Sequence, residues 1–517
     1  MNEAALSLHA TPSLARMMLA SSGNRSEAIA IFNDGAIERT ITHHGLVDSV
    51  RRLAAGLTRL GLRQGDILAV QMPTRLATIQ THAAAAWLGL IVLPIIHIYE
   101  GNELAFILEQ SGAKAIVTPS AWRNVDFVAR RKELTQAFPN LLQIVEGPAV
   151  TVEVSMESLL LAEPLTEPVE VSSTEIAMLI YTSGTTSQPK GVQHSHTSLL
   201  AELAADHSKR GKLVQLAPWP PGHIAGVLSL QRFWVMGQDS VFLESWDAHI
   251  AARLIERYGV QASSGTPLHM ASLLDAAAED GRDISSLTDY MAGATMVPPA
   301  LIQRCQDAGL ATYRCYGLSE HPTISCGFPD DPLDKRLGTD GRLNPGVEVR
   351  IVDDEGHDLS PGEAGEIWSR GPDRFVGYFD SSRDAEALTP GGWLRTGDIG
   401  VLDVDGYLSI TDRKKDIIIR GGENIASREV EDLLCLIPGV REAAVVGAPD
   451  ARLGERVAAF IVAEPNTDLT IHAIARHFAA HQVAVQKTPE IVHLIPDLPR
   501  NTAGKVLKPV LRERLRG

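Results

Sequence analysis

IAMLIYTSGTTSQPKGVQHSH, residues 176 to 196, is the stretch from which the rest of the chain can be read. A continuous apolar run from Ile176 to Tyr181 gives way at once to Thr182, Ser183, Gly184, Thr185, Thr186 and Ser187, then to Pro189, Lys190 and Gly191. Such a run reads as a buried strand. A loop of Gly, Ser and Thr behind it lets backbone N–H groups and hydroxyls come close to an anion, because no bulky side chain intervenes. Lys190 adds a mobile point charge suited to phosphate. The order is not the GxxxxGK[ST] phosphate loop, since Pro189 precedes the lysine and Gly191 follows it. A surface connection rich in small residues has the same composition, so the stretch needs support from elsewhere.

The chain's 517 residues exceed one ordinary hydrophobic core, which predicts at least two domains. With 44% hydrophobic and 21% charged residues it has the composition of a globular enzyme. Lys+Arg 47 against Asp+Glu 63 gives a formal charge of -16, which argues against nucleic acid and anionic membranes as partners. An anionic substrate therefore needs a local basic site. The N-terminal MNEAALSLHATPSLARMMLASS lacks a basic segment followed by an apolar core, and no window approaches a membrane span, so a cytoplasmic location is expected. None of Cys305, Cys315, Cys326 and Cys435 forms a CxxC pair, so neither disulfide staples nor a structural zinc are expected.

Outward from the opening stretch, strand and helix signals alternate. Val50, Leu53, Leu57 and Leu60 recur at helical spacing, glycines at 61 and 65 break the pattern, and DILAVQMP reads as a buried strand. A helix from Thr81 to Leu88, the run IVLP, a helix from Asn102 to Gln110 and the strand KAIVTP follow. The alternation resumes with LVQLAP, SVFL, a helix from Ile250 to Tyr258, VQASS, a helix from Leu268 and ATYRCY. This is the texture of a doubly wound α/β fold. From Gly346, GVEVRIVDDEG and GEIWSRG read as antiparallel strands. An α+β unit of about a hundred residues begins near DRKKD, which places the domain boundary at 411/412.

Four further segments carry polar residues suited to a ligand, the first of them at the end of a strand, where α/β folds put ligand-contacting residues. YGLSE closes a strand, with Tyr316 able to stack on a base and Glu320 able to hold a Mg²⁺ bridging phosphate oxygens. WLRTGDIG presents Asp398, a carboxylate able to accept hydrogen bonds from ribose hydroxyls. DRKKDIIIRGGENIASREVE combines Arg413 with a Gly421–Gly422 turn and a helix capped at Ser427. PRNTAGKVLK places Lys505 on a glycine-containing turn near the C-terminus. Each is unremarkable in isolation.

Taken in order, the five segments resemble, over essentially the whole chain, the adenylate-forming superfamily of acyl-CoA synthetases, peptide-synthetase adenylation domains and luciferase. The resemblance implies a large N-terminal α/β domain, residues 1–411, made of doubly wound sheets and a small β-barrel-like subdomain. It also implies a smaller, mobile α+β domain, residues 412–517. ATP with Mg²⁺ and a small carboxylic acid would give an acyl-adenylate and pyrophosphate, and CoA would take the acyl group. By the same resemblance Lys505 bridges the attacking carboxylate and the α-phosphate. Thr182, Ser183, Gly184, Thr185, Thr186 and Lys190 hold the β and γ phosphates, and Glu320, with Ser319 and either Thr182 or Thr185, positions Mg²⁺. Tyr316 and Gly317 with Gly293, Ala294 and Thr295 form the adenine platform, Asp398 and Arg413 contact ribose, and Lys415 is the pivot of domain rotation. Gly422 lines the acceptor channel. Trp219, His223 and Leu318 line the acid pocket, His223 at a position that gates or contacts the acyl group. A homodimer is compatible with the family.

Within the superfamily, PIIHIYEGNELAFILEQSG and VAVQKTPE look most like cyclohexanecarboxylate-type and short to medium acyl-CoA ligases. Trp219 and two prolines form a rigid wall that favours a compact or cyclic acid. Leu453 and Gln486 stand where many CoA ligases carry aromatic residues that pack on the CoA adenine. Transfer to an amine such as an amino acid, giving an amide, and loading of a carrier-protein thiol therefore remain alternatives.

Overall fold

The computed structural model describes residues 12–25, 29–33, 37–97, 99–149, 153–182, 189–210, 213–295, 297–465, 467, 469–500 and 506–515. Ser183, Gly184, Thr185 and Thr186 of the expected phosphate loop, and Lys505, lie outside them.

The opening apolar run forms the strand Ile176–Thr182, buried from Ala177 to Tyr181. It lies parallel to Ile91–Pro94 in a sheet that also contains the parallel strands Ile67–Val70, Ala115–Pro119 and Leu142–Glu146. Burial on both faces explains why these strands read as unbroken apolar runs. The chain then doubles back through Lys190–Ser195, antiparallel to Ile176–Thr182, with Thr182 opposite Lys190. Gly377–Tyr378 joins that returning strand, Tyr378 opposite Val192. A second sheet runs parallel through Ile29–Asn33, Ser240–Leu243, Gln215–Ala217, Ala262–Gly265, Asp289–Ala292 and Ala311–Leu318. His321–Cys326 folds back on its last strand.

Helices fill the space between the sheets. His43–Arg59 is capped by the Thr42 side chain, which accepts from the Gly45 N–H, and buries Leu46, Val50, Leu53 and Leu57 along one stripe. Leu76–Leu88 starts five residues before the helix expected at Thr81 and is buried from Ala77 onward. Enclosed on every side, it has no polar face and so no amphipathic period to mark its start. One apolar cluster connects Leu68, Val70 and Val117 of the first sheet through Ile79, Val227 and Phe233 to Ala217 and Phe242 of the second.

A smaller antiparallel sheet is built from Glu348–Val352, Gly365–Arg370, Leu394–Leu402 and Leu408–Arg413, over a cluster of Ile324, Val347, Ile351, Ile367 and Leu408. Its last strand ends two residues past the expected 411/412 boundary. The C-terminal part has a core of its own around the paired strands Val440–Asp450 and Gly454–Ala463. Alternate residues serve opposite faces: Val445, Val457 and Ile461 pack with Val430 and Phe478, whereas Val446, Phe460 and Val462 pack with Leu498 and Leu511.

Ser427 does not cap the helix Ser427–Cys435, as its position in the sequence suggests. It is the first helical residue, after Ala426, and the Asp412 carboxylate accepts from both its N–H and, at 3.1 Å, its hydroxyl. A full negative charge complements a helix N-terminus better than a hydroxyl, and strand pairing delivers it from fifteen residues upstream. No helix among the described residues is long and apolar enough to cross a membrane.

Candidate active site

Tyr316 sits near the end of the strand Ala311–Leu318, where the parallel sheet presents its ligand-facing edge. Asp398 and Arg413 are register partners on neighbouring strands of the small sheet. The three converge: the Tyr316 hydroxyl donates to Asp398 Oδ2 at 2.8 Å, and Arg413 Nε lies 3.0 Å from Asp398 Oδ1. Asp398 is 3% exposed, and a carboxylate so buried persists only when paired and hydrogen-bonded. Burial, reinforced by the charge of Asp398, pushes the Tyr316 hydroxyl well above its ordinary pKa, so it remains a donor.

These groups open into a cavity of about 340 Å³, whose wall includes Ala294, Thr295, Gly317 and Lys415. Val506, Lys508 and Arg512 close it from the C-terminal side. Ala294 has φ +66°, a left-handed conformation unusual for a residue with a side chain and typical of strain kept at ligand sites. Its neighbour Gly293 is buried, and a Cβ there would lie 2.6 Å from Cys315 Sγ. At Gly317 a Cβ would meet the Pro322 carbonyl oxygen at 1.9 Å, so only glycine permits the tight return of the chain.

Glu320 lies with Ser319 in the turn that follows. His194 Nε2 donates to the Ser319 carbonyl at 2.7 Å, and burial lowers the His194 pKa to about 4, which keeps its ring neutral. The Phe375 N–H donates to the Glu320 carbonyl at 2.7 Å. The Tyr378 hydroxyl donates to Glu320 Oε1 at 2.8 Å, and Lys190 Nζ stands 5.0 Å from the centroid of the same ring. Lys190 also lies 4.0 Å from Glu386. Tyr378 is a residue that sequence reasoning missed. Its local sequence, VGYF, carries no signal, and only the pairing of Gly377–Tyr378 with the strand that follows Lys190 reveals it.

Trp219 and His223 stack with centroids 5.7 Å apart, and Trp219 Nε1 donates to Ser264 Oγ at 2.8 Å. His269 meets Trp219 edge-on and Trp246 at 4.6 Å, which extends the aromatic wall. His223 also caps the helix Ile224–Trp234, its Nδ1 accepting from the Ala225 N–H at 3.2 Å, which places the proton of a neutral ring on Nε2. Leu318 packs against two apolar clusters and has a structural role of its own. Gly422, in the exposed turn between Ile418–Arg420 and Glu423–Ile425, is not part of the cavity wall.

The structure thus collects Ala294, Thr295, Tyr316, Gly317, Asp398, Arg413 and Lys415 around one cavity. It links Lys190 with Glu320 through Tyr378, sets Trp219 against His223, and leaves Gly422 apart.

The profile of the AMP-binding enzyme family matches residues 18–379, and that of the AMP-binding enzyme C-terminal domain matches residues 429–505. A medium-chain fatty-acid–CoA ligase of Escherichia coli K12 is 34% identical over 491 residues, 93% of this chain and 86% of the relative. A 3-[(3aS,4S,7aS)-7a-methyl-1,5-dioxo-octahydro-1H-inden-4-yl]propanoyl:CoA ligase of Mycobacterium tuberculosis is 33% identical over 497 residues, covering 92% of this chain and 94% of the relative. Among solved structures, an amide bond synthetase from Marinactinospora thermotolerans superposes with a TM-score of 0.86 at 29% identity, covering 97% of this chain and 99% of that one.

Proposed function

The chain belongs to the AMP-binding enzyme family, and from that premise we propose how its residues divide the reaction. It is an AMP-forming ligase, which activates a carboxylic acid with ATP as the acyl-adenylate and then transfers the acyl group to CoA. In the first half-reaction a carboxylate oxygen bonds to the α-phosphorus and the bond to pyrophosphate breaks. In the second, the thiol sulfur bonds to the acyl carbon, AMP departs and the thiol proton is lost.

Two anions meet in the first step on a protein of net charge -16, so cations must be concentrated locally. We assign Lys190 to the β and γ phosphates and Lys505 to the attacking carboxylate and α-phosphate. Asp398 and Arg413 hold the ribose, and Tyr316, Ala294 and Thr295 face the adenine. A Glu320 carboxylate oxygen and the Thr182 hydroxyl are the hard oxygen donors that suit Mg²⁺. When bound, the ion would neutralise charge on the phosphate oxygens. Residues 1–411 and 412–517 act as two units that pivot at Lys415, with Gly422 brought to the acceptor channel by rotation. Trp219 and His223, stacked and backed by His269, favour a compact or cyclic acid.

The observation that carries this reading is the shared cavity, where Tyr316 and Asp398 of the N-terminal part, joined by Arg413 from just past the boundary, meet Val506 and Lys508 from the segment that contains Lys505. The test is pyrophosphate release with a panel of linear, cyclic and aromatic acids, followed by mass detection of products with CoA or with amino acids. Acid-dependent release ending in a thioester is the expected outcome. No release with any acid would defeat the assignment. A second reading, transfer to an amine, is favoured by the aliphatic Leu453 and exposed Gln486 and by the likeness to the amide bond synthetase. Amide formation in the absence of CoA turnover would establish it.

A further inference from the structure

We propose that Tyr378 is a positioning residue that holds the Glu320 carboxylate and the Lys190 ammonium at one fixed spacing, so that metal and triphosphate are met by both together. The proposal rests on the roles assigned above to Glu320 and Lys190. Those two groups come from different sheets. Lys190 begins a strand of the first, whereas Glu320 lies in the turn that ends the parallel strands of the second. Tyr378 ties them, since it is hydrogen-bonded into the first sheet and its hydroxyl reaches across to Glu320 at 2.8 Å.

Its own position is held from every side. The Tyr378 N–H donates to Asp384 Oδ1 at 2.8 Å, its carbonyl accepts from Gln193 Nε2 at 3.1 Å, and Phe375 packs edge-on with centroids 5.0 Å apart. Phe375 also binds the Glu320 carbonyl through its N–H, so backbone and side chain of Glu320 are fixed by one short segment. The ring acts on two opposite charges: its hydroxyl proton is committed to Glu320 Oε1, and its π face lies 5.0 Å from the Lys190 ammonium. Among the described residues only Oε1 of Glu320 is hydrogen-bonded, and Oε2 is left for a cation. A carboxylate preset in this way needs no reorganisation when the metal arrives.

The test uses the full-length protein and Tyr378→Phe, which keeps the ring and its contact with Lys190 but removes the hydroxyl. Calorimetric titration would compare α,β-methylene-ATP with Mg²⁺ against AMP, which needs neither metal nor the outer phosphates. Expected is about tenfold weaker binding of the Mg²⁺ complex, the scale of one charge-assisted hydrogen bond, with AMP affinity unchanged and the melting temperature retained. Mn²⁺ affinity in the presence of the analogue, read by electron paramagnetic resonance, should fall in parallel. Tyr378→Leu, which also removes the face beneath Lys190, should lose more. Equal weakening of AMP and the Mg²⁺ complex would show a merely structural tyrosine and overturn the proposal, as would unchanged binding of both. Wild-type protein that binds neither ligand would instead overturn the ATP assignment, and this proposal with it.

Discussion

Arg413 and Asp398 face one another across adjacent antiparallel strands, Nε to Oδ1 at 3.0 Å, while the Tyr316 hydroxyl occupies the other carboxylate oxygen. The carboxylate is thereby held rigidly at the cavity edge, with lone pairs remaining for ligand hydroxyls. Asp398→Asn keeps the shape but removes the charge that Arg413 and Tyr316 both address. Hydrogen bonds to charged groups contribute about 1.5–3 kcal/mol, so AMP should bind about 10- to 100-fold more weakly. Equilibrium titration with AMP checks this, and undiminished affinity would remove Asp398 from the ribose site.

Lys505→Ala separates the half-reactions. If this lysine supplies the decisive cation in the first, adenylation should fall at least about 10²-fold, the scale of one lost electrostatic stabiliser. Thioester formation from supplied acyl-adenylate and CoA should be spared. Acid-dependent exchange of labelled pyrophosphate into ATP reports the first half alone. Equal loss in both halves would contradict a lysine that serves only one.

Acid should destabilise the protein over a defined range. Burial lowers the pKa values of His82, His97, His194, His196 and His269 to about 4. In the unfolded chain these rings titrate near about 6.5, so between those values the unfolded state binds more protons. Stability is therefore fully present above pH ~6.5 and is lost as pH falls towards ~4, by up to about 1.4 kcal/mol per pH unit for each ring. Denaturant midpoints at successive pH values should follow this slope. His82, whose two ring nitrogens have no hydrogen-bond partner among the described residues, is the cleanest single contributor, and His82→Leu should flatten the curve.

Gly317→Ala tests the close turn beside the cavity. With a Cβ forced to 1.9 Å from the Pro322 carbonyl oxygen, the backbone must move. Overpacking of this kind typically costs about 1–3 kcal/mol. Because the turn carries Ser319 and Glu320, the affinity for Mg·ATP should drop further than stability alone explains, which chemical denaturation and nucleotide titration on the same variant would show.

Much of the fold is legible along the chain. Strands buried on both faces appear as unbroken apolar runs, as at Ile67–Val70 and Ile176–Thr182, and a helix with one wet face shows its period, as His43–Arg59 does. Legibility fails where that contrast vanishes: Leu76–Leu88 has no wet face, and its first turn went unread. It fails again where a partner is remote, since Asp412 rather than Ser427 supplies the acceptor at the helix start.

From the sequence alone come the alternation of elements, the family and the residue types its chemistry requires, because hydrophobic period and motif order are local properties of the chain. The tertiary structure alone decides which of those residues meet. Tyr316 finds Asp398 across 82 residues and Tyr378 finds Glu320 across 58. Such pairings depend on strand register and on how separate sheets pack, and neither quantity leaves a trace in the residues flanking either partner.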